Sequence, residues 1–265
     1  MALRHYIPQA YLRKFLDPKN GRLAVCEKET FSRTCKPIVQ ICSEQDFFAI
    51  NGIEEFLKNG EESKLVYKNG LYVDKDCLED ELSKLETEIG RILKKIISHA
   101  SFNSINKNEL IFLLQWAAWL RVATPATRNL LKEKYPDIAN VHINGFIAWH
   151  AKICPVFILR TWGVMVTAKS LFTGDCPVCI RCSKPRDVVV TDLITLANYP
   201  IIFPLAPNLL LIGEPNNYRS FQVMKTIKAN DELVRHVNTL MFLNSNQIIA
   251  TDQAEINKFI EEFES

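Results

Sequence analysis

Glycine is scarce in this chain, nine among 265 residues, and nowhere gathers into a phosphate-binding loop. Neither Gly-x-x-x-x-Gly-Lys nor Gly-x-Gly-x-x-Gly occurs. Such loops wrap backbone N–H groups around phosphates, so their absence argues against the ordinary nucleotide-driven enzymes. The Gly-x-Ser-x-Gly elbow and the His-Glu-x-x-His string are missing too, which removes two common hydrolase designs. Long hydrophobic runs are also lacking. The most apolar stretch, Leu110–Leu120, has 11 residues and contains Gln115, whereas a bilayer helix needs about 20. Charge of either sign barely exceeds the other, with 32 Lys plus Arg against 30 Asp plus Glu and a net of +2. That excludes a strongly basic nucleic-acid coat and leaves room for a local basic groove. No apolar stretch of signal-peptide length follows Met1–Phe15. The expectation is a soluble, cytoplasmic protein with no membrane partner, whose eight cysteines are reduced thiols.

What is present is globular. Hydrophobic residues make up 48% and charged residues 23%, ordinary for a packed domain and wrong for disorder. The length suits one large domain or two small ones. With no repeat and no low-complexity linker, a single domain over 1–265 is expected.

The first forty residues carry eight basic and three acidic side chains, a local net of +5. Ile7 precedes Pro8 and is pushed away from helix, and a short helix over Pro8–Phe15 follows. Asp17–Gly21 reads as a turn before a β pair, Arg22–Lys28 with Lys36–Ile41. Ser43–Phe48 reads as a joint, Gly52–Lys58 as a short helix and Lys58–Lys64 as a loop. Apolar residues then recur at Leu78, Leu82, Leu85, Ile89, Ile92 and Ile96, the period of one helix face. That stripe fits packing on the core, or a homodimer through helix 78–96. Asn106 with Glu109 three residues on resembles a capping box, opening an apolar helix that ends near Thr124-Pro125. A further helix, Asp137–Ile153, is expected to stop at Pro155. Beyond it, Trp162–Thr167, Val178–Arg181, Val188–Thr191, Ile201–Phe203 and Leu209–Ile212 read as strands. Asn230–Leu243 and Gln253–Glu264 read as helices. Separate helical (about 74–153) and β-rich (about 156–213) blocks predict an α+β fold. In it, a helical middle section packs with an antiparallel sheet formed by the N-terminal and C-terminal thirds.

Three strings occur in order: His5-Tyr6-Ile7-Pro8-Gln9-x-Tyr11-Leu12-x-x-Phe15, Phe172-Thr173-Gly174-Asp175-Cys176-Pro177-Val178, and Pro204-Leu205-Ala206-Pro207. Together they resemble the mainly bacterial and phage-associated domain of unknown function 4238 family. Leu78-Glu79-x-x-Leu82-x-x-Leu85-Glu86 and Arg121-x-x-x-Pro125-x-x-Arg128 are similar to that family's middle. The resemblance runs from about residue 4 to residue 255. Gly174 stands where the family usually has Ser, and Cys176 where it usually has Asn. The resemblance implies a single prokaryotic domain, sometimes in mobile or defence-related neighbourhoods, with no settled activity to carry over.

Five residues are candidates for chemistry. His5 can move a proton near pH 7, or sit with both nitrogens satisfied in a structural joint. Gln9 offers an amide beside it. Asp175, in a Gly-Asp turn, can orient His5 or bind a metal, or bond only its own backbone. Arg121 and Arg128 can clamp phosphate, although pairing with Glu79 or Glu86 is the favoured expectation for them, since an unpaired buried carboxylate is costly. Cys176, Cys179 and Cys182 have the two-residue gaps of metal sites. A strand over Val178–Arg181 would turn Cys179 away from the other two, so buried thiols without metal are expected. No cofactor is assigned.

Two functions follow as expectations. One is a nucleic-acid phosphodiesterase, a nuclease effector in phage defence, with His5 as general acid or base, Asp175 orienting it, and Gln9, Arg121 and Arg128 on the substrate. The other is a non-catalytic sensor binding nucleic acid or a phage or defence-system protein.

Overall fold

The computed structural model describes residues 3–49, 77–138, 140–181, 197–216, 222–223 and 226–264. The expected Gly52–Lys58 helix, Lys58–Lys64 loop and Val188–Thr191 strand lie outside them. The fold is α+β, with a helical middle between strands contributed by both ends of the chain.

The chain opens with β1 (Leu3–His5) and the single-turn helix α1 (Gln9–Leu12), where Pro8 caps the turn without needing an N–H. A hairpin follows, β2 (Leu23–Glu27) with β3 (Arg33–Lys36). Its second strand comes earlier than expected: Pro37 cannot donate to a ladder, and Ile38–Gln40 coils into a 3-10 turn instead. β4 (Ser43–Gln45) returns to pair antiparallel with β1, setting His5 opposite Ser43 and Arg4 opposite Glu44.

Helix α2 (Cys77–His99) carries the expected stripe. Ile89, Ile92 and Ile96 are fully buried in this chain's own core, whereas Leu85 stays exposed. The homodimer seam expected along 78–96 is therefore not open to a second copy over that half. Helix α3 (Lys107–Val122) begins with the capping box itself: Asn106 Oδ1 accepts from Glu109 N, and Glu109 Oε2 accepts from Asn106 N, each at 2.9 Å. Glu109 also pairs with Arg91 and Lys95 of α2. Those contacts, the Lys95 hydrogen bond foremost, hold its carboxyl down at about 2.

Thr124 caps α4 (Pro125–Lys134), with Pro125 in the first turn. Helix α5 (Val141–Ile158) departs from expectation at both ends. It starts later, because Asn140 takes a left-handed conformation at φ 54°. It also runs past Pro155, which sits in the last turn and forfeits one bond there, while its own carbonyl accepts from Leu159 N at 2.9 Å. Among the described residues no helix is long and apolar enough to cross a membrane.

Two larger sheets complete the fold. In one, β5 (Thr161–Val166), β9 (Leu209–Glu214), β8 (Ile201–Ala206) and β7 (Cys179–Ile180) run antiparallel. The short β10 (Gln222–Val223) and β11 (Ile227–Lys228) add to β5 in parallel, a departure from the purely antiparallel sheet expected. Since β8 is buried throughout and β9 nearly so, this sheet lies inside the main core against the helices. In the other, the order is β3-β2-β12-β6, with β6 (Thr173–Gly174) and β12 (Gln247–Ala250). Here the N-terminal hairpin joins strands from the far end of the chain. Helix α6 (Asp231–Asn244) leads into β12, and α7 (Gln253–Glu264) buries Ile256 and Ile260 on this second sheet.

One side chain ties the three sequence strings together. The ring of Tyr11 is fully buried among Phe15, Trp116 and Phe203. Its hydroxyl lies 2.6 Å from Thr173 Oγ1 and donates to Pro204 O at 2.7 Å. The strings thus meet at a structural joint as well as at surface sites.

Candidate functional site

Of the expected site residues, His5 and Gln9 line one depression, Arg121 and Asp175 line another, and Arg128 lines neither. The larger is a cleft of about 380 Å³ where α1 crosses α2, lined by Arg4, His5, Gln9, Arg13, Glu86 and Gly90 among others. The helices come within packing distance at Gly90, where a Cβ would sit 3.4 Å from Ala10 Cβ.

His5 is held in this cleft by a polar chain. Arg13 Nη2 donates to Gln9 Oε1 at 3.1 Å, and Gln9 Nε2 lies 3.3 Å from His5 Nδ1. His5 Nε2 lies 3.3 Å from Ile38 O. Gln9 Nε2 stands equally 3.3 Å from His5 Nε2; a proton on Nε2 satisfies the carbonyl and leaves Nδ1 to accept from Gln9. Half-burial lowers the imidazole pKa, partly offset by the Ile38 carbonyl, so the ring is neutral near pH 7 and able to accept a proton. Arg4 and Arg13 line the cleft with one carboxylate, Glu86. Lys14, beside Arg13 in the chain, has its ammonium pKa lowered by burial, then by Lys94 and Arg13.

The smaller depression is a crevice with a volume of about 10 Å³, room for roughly one water. Arg121, Thr124, Thr127, Asp175, Cys176 and Asn246 line it. Asp175 Oδ1 accepts from Asn246 N at 2.8 Å and Gln247 N at 3.4 Å, and Oδ2 from Asn246 Nδ2 at 3.2 Å. These bonds stabilise the anion, yet burial outweighs them and raises its pKa to about 6. Buried Tyr6 and Cys42 stand close enough to feel the Asp175 charge.

Asp175 therefore does not orient His5. Its carboxylate is spent on the β12 backbone and Asn246, and neither residue lines the other's depression. Nor do the two arginines work together. Arg121 Nη1 donates to Cys176 Sγ at 3.4 Å, while Arg128 pairs with Glu44 and stacks 4.8 Å above the Phe47 ring. The expected pairing of these arginines with Glu86 is replaced by those contacts, and the Glu79 side chain lies outside the described residues. Arg4, Arg13 and Glu86 line the cleft that His5 occupies, and none was singled out for it from sequence. The signal available for the arginines was the +5 balance of the first forty residues.

The cysteines also correct an expectation. The strand is only Cys179–Ile180. The residues before it bend, so the Cys179 thiol meets Cys176: it reaches the Cys176 carbonyl at 3.5 Å. Among the described residues no group of three or more His, Cys, Asp or Glu gathers as a metal would require, and Cys182 lies outside them.

The high pKa of Asp175 has a measurable consequence. Its folded value of about 6 lies above the ordinary 3.8. The resulting stability is full below the lower value and is lost as pH rises through the upper one. The loss is on the order of 3 kcal/mol. Urea unfolding of the wild type should therefore show stability falling through about pH 6 relative to Asp175→Asn, which keeps an acceptor but has no proton to lose. Parallel pH profiles would contradict this.

An α+β protein with a cationic, histidine-bearing cleft at its first helix is the class this geometry defines. A family model described as "Protein of unknown function (DUF4238)" matches residues 4–146, and the chain belongs to that family. The match contains the whole cleft and stops short of Asp175 and Cys176. No curated protein and no solved structure matches the chain.

Proposed function

We propose that the chain binds nucleic acid at the Arg4–His5–Gln9–Arg13 cleft and cleaves it as a phosphodiesterase, with His5 as the general base. The observation that carries this is a neutral imidazole, its Nδ1 held by Gln9, in a cleft that Arg4 and Arg13 also line. Guanidinium groups neutralise and fix phosphate oxygens. His5 would take the proton of an attacking hydroxyl or water, a role worth typically 10²–10⁴-fold. The family's occurrence in mobile and defence-related neighbourhoods supports a cytoplasmic role in phage defence.

Binding without cleavage is the second reading. It is favoured by the hydrogen bonds that already engage both His5 nitrogens, which a bystander histidine would also make.

The test incubates wild type, His5→Ala and Arg13→Glu with labelled RNA, single-stranded DNA and duplex DNA, with and without chelator. Cleavage is expected to fall at least about 100-fold in His5→Ala while binding persists. Arg13→Glu should weaken binding, with a shallower salt dependence. Cleavage that His5→Ala leaves intact overturns the catalytic role. Salt-sensitive binding with no cleavage by any folded sample leaves the binding module.

A further inference from the structure

Cys176 and Cys179 take no part in the cleft, yet they form a paired and polarised thiol site. Both are buried in the turn between β6 and β7. Cys176 alone of the two lines the water-sized crevice, beside Arg121 and Thr127. The Arg121 guanidinium donates to its sulfur at 3.4 Å, and the Cys179 thiol reaches the Cys176 carbonyl at 3.5 Å from behind. One sulfur therefore faces an entrance with a guanidinium on it, and the second lies against the same residue on the closed side.

We propose that Cys176 and Cys179 are a peroxide-responsive dithiol, Cys176 reacting with hydrogen peroxide and Cys179 closing the disulfide. In the first step the Cys176 thiolate attacks one peroxide oxygen. The O–O bond breaks, the sulfur becomes a sulfenic acid and hydroxide leaves, to be protonated to water. In the second, the Cys179 sulfur attacks that sulfenic sulfur, the S–O bond breaks, and a second water carries away the Cys179 proton. Two electrons pass from the dithiol to one peroxide, which is the oxidant required.

The surroundings suit each step. Hydrogen bonds from Cys179 and Arg121 favour a Cys176 thiolate against burial, while burial keeps Cys179 a thiol. Arginine beside the sulfur also offers donors to the departing oxygen. The crevice volume of about 10 Å³ selects an oxidant little larger than water over glutathione disulfide or a protein partner. The bend that lays the Cys179 sulfur 3.5 Å from the Cys176 carbonyl supplies the proximity a disulfide across a two-residue gap demands. Cys42 and Cys154 are buried, and Cys35 is exposed. Cys35 therefore serves as an internal reference.

The experiment treats the reduced, native full chain with limiting hydrogen peroxide, alkylates the remaining thiols in denaturant, and maps the peptides by mass. The expected product is a Cys176–Cys179 linked peptide, two hydrogens lighter, formed at least about tenfold faster than Cys35 oxidation. Oxidation of Cys35 first, or Cys176 and Cys179 both remaining alkylatable, overturns the proposal. No variant is needed for that comparison, so a misfolded mutant cannot obscure it. In Cys179→Ser a dimedone adduct is expected on Cys176, whereas an equally fast adduct on Cys179 in Cys176→Ser overturns the assigned order. Arg121→Met should slow linking at least about fivefold, and an unchanged rate overturns its role.

Discussion

Replacing Tyr11 by alanine should lower the unfolding free energy by about 3–5 kcal/mol, the largest single-site loss expected in this chain. The ring is fully buried and packs with centroids 5.5, 6.0 and 5.3 Å from Phe15, Trp116 and Phe203. Alanine removes those contacts and opens a void where strands and helices meet. Tyr11→Phe keeps the packing and isolates the hydroxyl. Thr173 Oγ1 and the Pro204 carbonyl then lose a partner at 2.6 and 2.7 Å, and the cost should be about 1–3 kcal/mol. Urea unfolding with an unchanged m-value measures both. A Tyr11→Phe cost under about 0.5 kcal/mol would mean that water or a local shift replaces these bonds.

Gly174→Ser should also destabilise the fold, by less than the loss of the Tyr11 ring. A Cβ at Gly174 would lie 2.3 Å from Ser245 Oγ and 2.6 Å from the Gln247 carbonyl oxygen. A hydroxyl can rotate aside; a backbone carbonyl in the β6–β12 pairing cannot move without opening it, because Ile248 is the register partner of Gly174. Overpacking of this kind costs about 1–3 kcal/mol or more. Ser245 Oγ is buried with no partner among the described residues, so Ser245→Gly removes a crowding atom at little cost in hydrogen bonding. Combined with Gly174→Ser it should recover part of the loss, a coupling of at least about 0.5 kcal/mol. Strict additivity in thermal or urea unfolding would show that the crowding lies elsewhere. A side chain on β6 at Gly174 and the Ser245 side chain just before β12 would occupy the same space.

Local signals explain what was legible in the sequence. The helix over residues 78–96 and the Asn106–Glu109 box are written in spacings of three and four, which a single helix satisfies without help from the rest of the fold. Short strands were harder. Gln247–Ala250 has four residues, and its membership in a sheet depends on β2 and β6 lying on either side of it. The proton-transfer residue and its surroundings divided in the same way. His5 and Gln9 lie four residues apart, at the end of β1 and the start of α1, so their contact could be anticipated. The partnership of His5 with Asp175 required the two strings to present these side chains to one space. The strings do meet, through Tyr11 and Thr173, while His5 faces α2 and Asp175 faces β12. Cysteine spacing misled for a related reason. Alternation along a strand separates Cys176 from Cys179, and the bend that replaces the strand joins them.

The central place of β12 in its sheet also sets the order of assembly. Ala24 pairs with Ala250 and Cys26 with Ile248, so the hairpin made first during synthesis acquires its neighbour almost last. At the usual pace of translation that interval is on the order of ten seconds or more, during which β2 presents an unpaired edge. An edge of that kind invites pairing with other chains. A ribosome-bound chain stalled before Gln247 should therefore depend on chaperone protection in a way that the released, completed protein does not.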